Sequence, residues 1–157
     1  MNFNNLNYII RHFAPSEINL IDENNVEIVN PNGIGNINIG YSTDDEDYPY
    51  IVRFSFQHCH ESDAESALDY ANDIISGNIC AIEFFSNGKN AIGGDITSDE
   101  LKELTYEMLE RKTGYYGSVP LKEIADSFKV RGWNSDSNFD ANFVLCEDGS
   151  VDIKITR

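Results

Sequence analysis

Basic side chains are scarce in the first hundred residues of the chain. This segment contains Arg11, Arg53 and Lys89, against 17 Asp and Glu residues. Residues 101–157 hold eight basic and ten acidic residues, so the formal net charge of -16 arises mainly in the first segment. A strongly anionic surface attracts cationic surfaces and repels nucleic acids and anionic membranes. Direct binding to nucleic acid is therefore disfavoured.

Cysteine is also scarce. Cys59, Cys80 and Cys146 are odd in number and widely separated, which excludes a fully paired disulfide framework within one chain. There is no C-x-x-C pair, which excludes a zinc ribbon. We expect reduced thiols and a reducing compartment.

Long apolar runs are missing from the chain. No stretch approaches the roughly 18 apolar residues that a membrane-spanning helix requires. The first residues, Met1 to Asn5, carry no basic segment followed by an apolar one, so a secretory signal is not expected. We expect a cytoplasmic protein without a membrane partner.

Aromatic residues, in contrast, are plentiful. The chain has eight Tyr and nine Phe, and hydrophobic residues make up 41% of it. An acidic disordered chain lacks such residues, so the composition indicates a folded protein with an acidic surface. A length of 157 residues fits a single domain, residues 1–157.

Two helix starts are marked by a capping box, in which a hydroxyl side chain and a Glu satisfy free backbone amides. The first is Ser62-Asp63-Ala64-Glu65, followed by an apolar stripe that ends before Gly77. The second is Thr97-Ser98-Asp99-Glu100, which predicts a helix up to Gly114. Apolar spacing predicts two further helices, over residues 3–13 and 120–128.

Alternating apolar and polar residues predict several strands. One buried strand is expected over residues 50–57, and Asn87-Gly88 marks a tight hairpin between strands 79–86 and 89–96. Gly93-Gly94 indicates a bulge or a close contact. A last hairpin is expected around Asp148-Gly149. Together these signals predict one α+β domain, a mainly antiparallel sheet with helices packed largely on one face.

The run of adjacent carboxylates after the third predicted strand is the main candidate for partner binding. Asp44, Asp45, Glu46 and Asp47 are expected to steer a cationic partner, and Tyr48 is expected to contact it. The alternative is an ordinary solvated loop, because like charges repel and stay in water.

A second candidate site is the pair His58 and His60. Residues two apart on a strand project to the same side, so two imidazoles there could hold a transition metal or serve acid–base chemistry. A metal site requires at least a third protein ligand, which could be a carboxylate such as Glu61 or Asp63. The remaining histidine, His12, lies in a different predicted element. The alternative is a strand end whose histidines cap or pack beside the next helix.

Other chemical motifs are weak. Cys59 is flanked by two histidines, but neighbouring strand residues point to opposite faces, so neither is well placed as its base. Gly33-Ile34-Gly35 is not followed by the helix that a phosphate-binding loop requires. Glu83 lies in a predicted strand without a second carboxylate at a defined spacing. No catalytic residue and no cofactor is therefore predicted.

Three stretches stand out in this small acidic chain, for which an α+β fold is predicted. They are Phe54-Ser55-Phe56-Gln57-His58-Cys59-His60, Glu83-Phe84-Phe85 and Gly93-Gly94-Asp95. In size, charge and element order this chain resembles bacterial immunity proteins of polymorphic or contact-dependent toxin systems. The resemblance implies a non-enzymatic cytoplasmic inhibitor that binds a toxin domain, often a basic nuclease. It carries no individual binding residues across, because these families differ in their interfaces.

Three functions follow from these observations. The first is an acidic protein-binding module that neutralises a basic toxin domain by charge-steered occlusion. The second is a metal-binding or histidine-dependent enzyme centred on His58 and His60. The third is a nucleic-acid mimic that blocks a DNA-binding protein, which would require carboxylates spaced like phosphates. The oligomeric state is left open.

Overall fold

A computed structural model describes residues 11, 13, 17–32, 35–113 and 119–156. The helix predicted over residues 3–13 lies largely outside this part of the chain, as do His12 and the Gly33-Ile34 pair. No helix among the described residues is long and apolar enough to cross a membrane.

The first half of the chain forms an antiparallel sheet, sheet A, whose five strands are neighbours in sequence order. Its strands are β1 (Glu17–Asp22), β2 (Asn25–Val29), β3 (Ile37–Tyr41), β4 (Tyr50–Phe54) and β5 (Gln57–Glu61). Two of its connections, 23–24 and 55–56, are only two residues long, which antiparallel neighbours allow.

The second half forms another antiparallel sheet of five strands, sheet B, with the order β10-β9-β8-β6-β7. Its strands are β6 (Ile79–Ser86), β7 (Lys89–Thr97), β8 (Ser127–Arg131), β9 (Phe139–Leu145) and β10 (Val151–Ile155). The turn between β6 and β7 is Asn87-Gly88, and both residues have positive φ, 52° and 78°. The hairpin predicted from this dipeptide is therefore confirmed.

Within residues 35–113 and 119–156, the α-helices that accompany the sheets are α1 (Ala64–Ser76), α2 (Ser98–Lys102), α3 (Tyr106–Lys112) and α4 (Leu121–Ile124). Helix α1 packs on the buried face of sheet A, whereas α2, α3 and α4 share a core with sheet B. The predicted α+β class with antiparallel pairing is confirmed. The structure adds that the strands form two sheets and that each sheet has its own helices.

Each sheet buries one apolar face. The core of sheet A joins alternate residues of β2, β3 and β4 to one side of α1; its largest fully buried side chains are Ile28, Ile37, Ile39, Leu68 and Ile74. The core of sheet B is built around Phe84 and Phe128, whose ring centroids are 5.9 Å apart. Strand β6 contributes to both cores, since Ala81 faces the first and Ile82 the second.

The helix caps differ in detail from the predictions. Asp63, not Ser62, is the N-cap of α1, and its carboxylate accepts a hydrogen bond from the Ser66 amide. Gly77 ends α1 with a φ of 84°, as the sequence predicts. The capping box at Thr97 is also confirmed. The helix that follows is interrupted, because Thr105 accepts from the Met108 amide and starts α3.

The strand predicted over residues 50–57 is divided by a turn at Ser55-Phe56. Ser55 has a φ of 57°, and the Phe56 side chain is 66% exposed rather than buried beside Val52 and Phe54. The turn lies over sheet B: a Cβ built on Gly93 would be 3.3 Å from the carbonyl oxygen of Phe56. The close contact expected at Gly93-Gly94 is therefore present, and it brings sheet A onto β7.

Buried polar contacts link the two sheets at a second place. The Asn30 side chain is 2% exposed and donates to the carbonyl oxygen of Trp133 over 2.9 Å. The same side chain accepts from the Asn32 amide over 3.0 Å. Because an unpaired buried polar group is costly, these bonds fix the position of sheet A against the end of β8.

The helix predicted over residues 120–128 is shorter than expected: α4 ends at Ile124, and β8 begins at Ser127. The N-cap residue of α4, Pro120, offers no side-chain cap. Its free amides are instead satisfied by α3: the Leu121 amide donates to Glu110 and the Lys122 amide donates to the Tyr106 hydroxyl. The same hydroxyl donates to Glu110 over 2.7 Å. These hydrogen bonds, with that from Tyr106 the largest cause, lower the pKa of Glu110 below its ordinary value of 4.5.

This carboxylate gives the fold an acid-sensitive contact. Because its pKa is lower in the folded state, Glu110 stabilises the fold at pH values above its unfolded-state pKa. That stabilisation is lost as the pH falls through its folded-state pKa. We expect Glu110→Gln, which keeps an acceptor but cannot titrate there, to flatten the loss of stability that the wild type shows as the pH falls below the ordinary Glu value of 4.5. Urea unfolding at several pH values measures this. An unchanged slope in Glu110→Gln would contradict the assignment.

Candidate functional site

Strand register brings three connections of sheet A together at one end. Asn25 at the start of β2 pairs with Gly40 near the end of β3. Tyr50 at the start of β4 pairs both with Tyr41 and with Glu61 at the end of β5. The β1–β2 turn, the β3–β4 loop and the start of α1 therefore lie at the same end of the sheet.

These three connections carry nine carboxylates. We call this set the acidic end: Asp22, Glu23, Asp44, Asp45, Glu46, Asp47, Glu61, Asp63 and Glu65. No Lys or Arg occurs in residues 22–25, 41–50 or 61–65. The predicted acidic run is thus one part of a larger anionic surface that the sheet register assembles.

The β3–β4 loop is exposed but ordered by hydrogen bonds. The Asp45 carboxylate accepts from the amides of Asp47 and Tyr48, each over 3.1 Å. The Ser42 amide donates to the Pro49 carbonyl over 2.9 Å and closes the base of the loop. Asp45 therefore shapes the loop in addition to carrying charge, a role that the run of four carboxylates does not reveal in the sequence.

The carboxylates of the acidic end differ in whether they accept hydrogen bonds from the rest of the chain. Asp22 and Asp63 accept from nearby amides or side chains, and those bonds lower their pKa values. Within the part of the chain that the structure describes, the side chains of Asp44, Glu46 and Asp47 make no hydrogen bond or ion pair. These three are therefore available to meet a cationic surface.

Aromatic side chains adjoin these carboxylates. Tyr48 is 52% exposed in the loop, as a contact residue must be. The rings of Tyr41 and Tyr50 lie behind it at the base of the loop, with centroids 5.1 Å apart. Tyr50 is buried, so its part is to support the loop base rather than to contact a partner.

The two histidines lie on one face, as their spacing predicts. His58 and His60 are both exposed on β5, and their ring centroids are 5.1 Å apart. They project from the open face of sheet A, where Arg53 is the cross-strand neighbour of His58. Among the described residues no group of three His, Cys, Asp or Glu side chains is arranged to hold a metal ion.

The thiol between these histidines is not activated. The Cys59 sulfur is on the opposite face of β5 and lies 3.1 Å from a Glu61 carboxylate oxygen. Burial, reinforced by Glu61, raises the pKa of Cys59 to about 12. The thiol is therefore protonated near neutral pH, which argues against a thiolate nucleophile.

A cleft between the β4–β5 turn and sheet B contains charged groups that the sequence did not single out as a site. It has a volume of about 420 Å³ and includes Ser55, Glu83, Lys129 and Arg131. Glu83 is 3% exposed and accepts a hydrogen bond from the Ser55 hydroxyl. One signal was available: Glu83 is a lone charged residue within an apolar strand, which is costly unless the charge is satisfied.

Comparison of the chain with protein-family models, curated proteins and solved structures found no match.

Proposed function

We propose that this chain is an acidic protein-binding module of the immunity type, which neutralises a basic toxin domain by covering it. The observation that carries the proposal is the acidic end, where nine carboxylates from three connections meet without a Lys or Arg. Charge of one sign gathered on one surface raises the local potential more than the same charge spread around the molecule.

Binding would begin with electrostatic steering. Complementary charge accelerates association by about 10- to 1000-fold and acts before contact is made. The loop needs little ordering on binding, because Asp45 already holds its backbone in a turn. Preorganisation of this kind lowers the entropic cost of association.

Short-range contact would then hold the complex together. Tyr48 projects from the same loop and offers an apolar ring with a hydroxyl, the type of side chain that often dominates interface energetics. The exposed carboxylates around it would pair with Lys and Arg of the toxin domain and prevent its access to substrate. Occlusion of this kind needs no catalytic residue and no cofactor.

Salt dependence of association tests the proposal. The partner to be used is a basic toxin domain encoded by the adjacent open reading frame, as the proposal requires, and stopped-flow mixing measures the association rate at several salt concentrations. Since the Debye length shrinks from about 30 Å at 0.01 M to about 10 Å at 0.1 M, we expect the rate to fall steeply over this range. A rate independent of salt would contradict charge steering, and absence of binding would contradict the proposed function.

A further inference from the structure

The cleft beside the β4–β5 turn is unrelated to the acidic end and has a different chemistry. Its floor is formed by β6 and β8 of sheet B, and one wall is the turn of sheet A. Glu83 and Lys129 are directly opposed in the β6–β8 register. Opposed side chains on neighbouring strands have Cβ atoms about 5 Å apart, so a carboxylate and an ammonium both lie on the floor of the cleft.

These two opposite charges are not paired with each other. Glu83 accepts through one oxygen, Oε1, from the Ser55 hydroxyl. Among the described residues its other oxygen has no hydrogen-bond partner, although the side chain is 3% exposed. A buried carboxylate oxygen without a hydrogen-bond donor costs free energy, so a ligand that donates a hydrogen bond to this oxygen would stabilise the site.

The ammonium of Lys129 is likewise available. Its Nζ lies 5.1 Å from the centroid of the Phe85 ring, and no carboxylate of the described residues is within ion-pair distance. Arg131, the other cation of the cleft, is already bound: its guanidinium pairs with Asp140 over 2.9 Å and donates to the carbonyl oxygens of Val130 and Phe139. Lys129 is therefore the group that can receive an anion.

Three phenylalanines complete the cleft: Phe54, Phe56 and Phe85. Phe56 is 66% exposed and could close over a bound group, since it lies in the turn. A volume of about 420 Å³ is near the lower end of the range for small-molecule sites, about 300–1,000 Å³. The site thus combines an acceptor for a cation, a donor to an anion and apolar walls.

We propose that this cleft binds a free α-amino acid with an apolar or aromatic side chain. The ligand ammonium would donate to the free oxygen of Glu83, the ligand carboxylate would pair with Lys129, and the ligand side chain would pack among the phenylalanines. The zwitterion supplies both charges within one small molecule. A neutral sugar could form hydrogen bonds here but would leave both charges uncompensated.

Calorimetric titration of the full chain with L-phenylalanine tests the proposal. We expect saturable binding at ligand concentrations up to about 10 mM. N-acetylation removes the ligand ammonium and amidation removes its carboxylate, so each derivative should bind at least about tenfold more weakly. Absence of saturable binding for L-phenylalanine, L-leucine and L-tryptophan alike would overturn the proposal, as would equal binding of the blocked derivatives.

Variants locate the site independently of the ligand series. Lys129→Met keeps the apolar stem of the side chain and removes its charge, and should weaken L-phenylalanine binding at least about tenfold. Glu83→Gln should have the same effect, and Lys129→Met remains a test if that variant does not fold. Lys102→Met, at an exposed site on α2, serves as the control and should bind like the wild type. Unchanged binding in Lys129→Met would place the ligand elsewhere and overturn the assignment.

Discussion

Neutralising the four adjacent carboxylates of the β3–β4 loop is expected to slow association with the proposed toxin partner about 10- to 1000-fold. The variant replaces each Asp with Asn and the Glu with Gln: Asp44, Asp45, Glu46 and Asp47. Asn at position 45 keeps an oxygen that can accept from the amides of Asp47 and Tyr48, so the turn should persist. The loss should fall mainly on the association rate and should shrink as salt is added.

A matched variant separates the position of charge from its amount. Four exposed carboxylates elsewhere in the chain are replaced with Gln in this control: Glu103, Glu107, Glu123 and Glu147. It has the same net charge as the loop variant but leaves the acidic end intact. We expect it to associate much faster than the loop variant in stopped-flow measurements. Equal rates for the two would show that net charge alone matters, and that the acidic end has no special role.

Loss of the Asn30 side chain should strongly destabilise the fold. In Asn30→Ala the Trp133 carbonyl and the Asn32 amide lose their partner at a site where the side chain is 2% exposed. Leaving a buried polar group unsatisfied costs about 1–3 kcal/mol. For a domain of this size each kcal/mol corresponds to a fall in Tm of about 2–4 °C.

Thermal unfolding and urea unfolding measure this change in the full chain. The control is Asn19→Ala on β1, an exposed side chain whose hydrogen bond to Glu27 is long, at 3.4 Å. Surface changes of this kind usually lie within about 0.5 kcal/mol of the wild type. Equal stability of Asn30→Ala and Asn19→Ala would contradict the role of the Asn30–Trp133 hydrogen bond in joining sheet A to the end of β8.

Local signals in the sequence predicted local structure well. Asn87-Gly88 predicts its hairpin because both residues tolerate positive φ, and Gly77 ends α1 for the same reason. The sequence predicts one continuous helix after Thr97, but the structure has two. The Thr105 hydroxyl caps the start of the second helix. Hydroxyl side chains compete with the helix backbone for hydrogen bonds, and apolar spacing alone does not reveal that competition.

Long-range features could not be read from the sequence in the same way. The turn at Ser55-Phe56 interrupts an apolar alternation that continues through it, and the absence of a side chain at Gly93 makes room for the turn on sheet B. The acidic run is evident in the sequence, but its position at the same end of the sheet as Glu23 and Asp63 depends on strand register. The pairing of Ser55 with Glu83 likewise depends on how the two sheets meet.

Amide hydrogen exchange of the chain, alone and bound to the proposed toxin partner, shows which surface the partner covers. We expect binding to slow exchange in residues 41–50 and 61–66 and in the β1–β2 turn, with little change in sheet B. The exposed apolar residues of the β9–β10 hairpin, Val144, Leu145 and Ile155, provide the contrasting surface. Protection of that hairpin, with unchanged exchange throughout the acidic end, would show that the acidic end is not the docking surface.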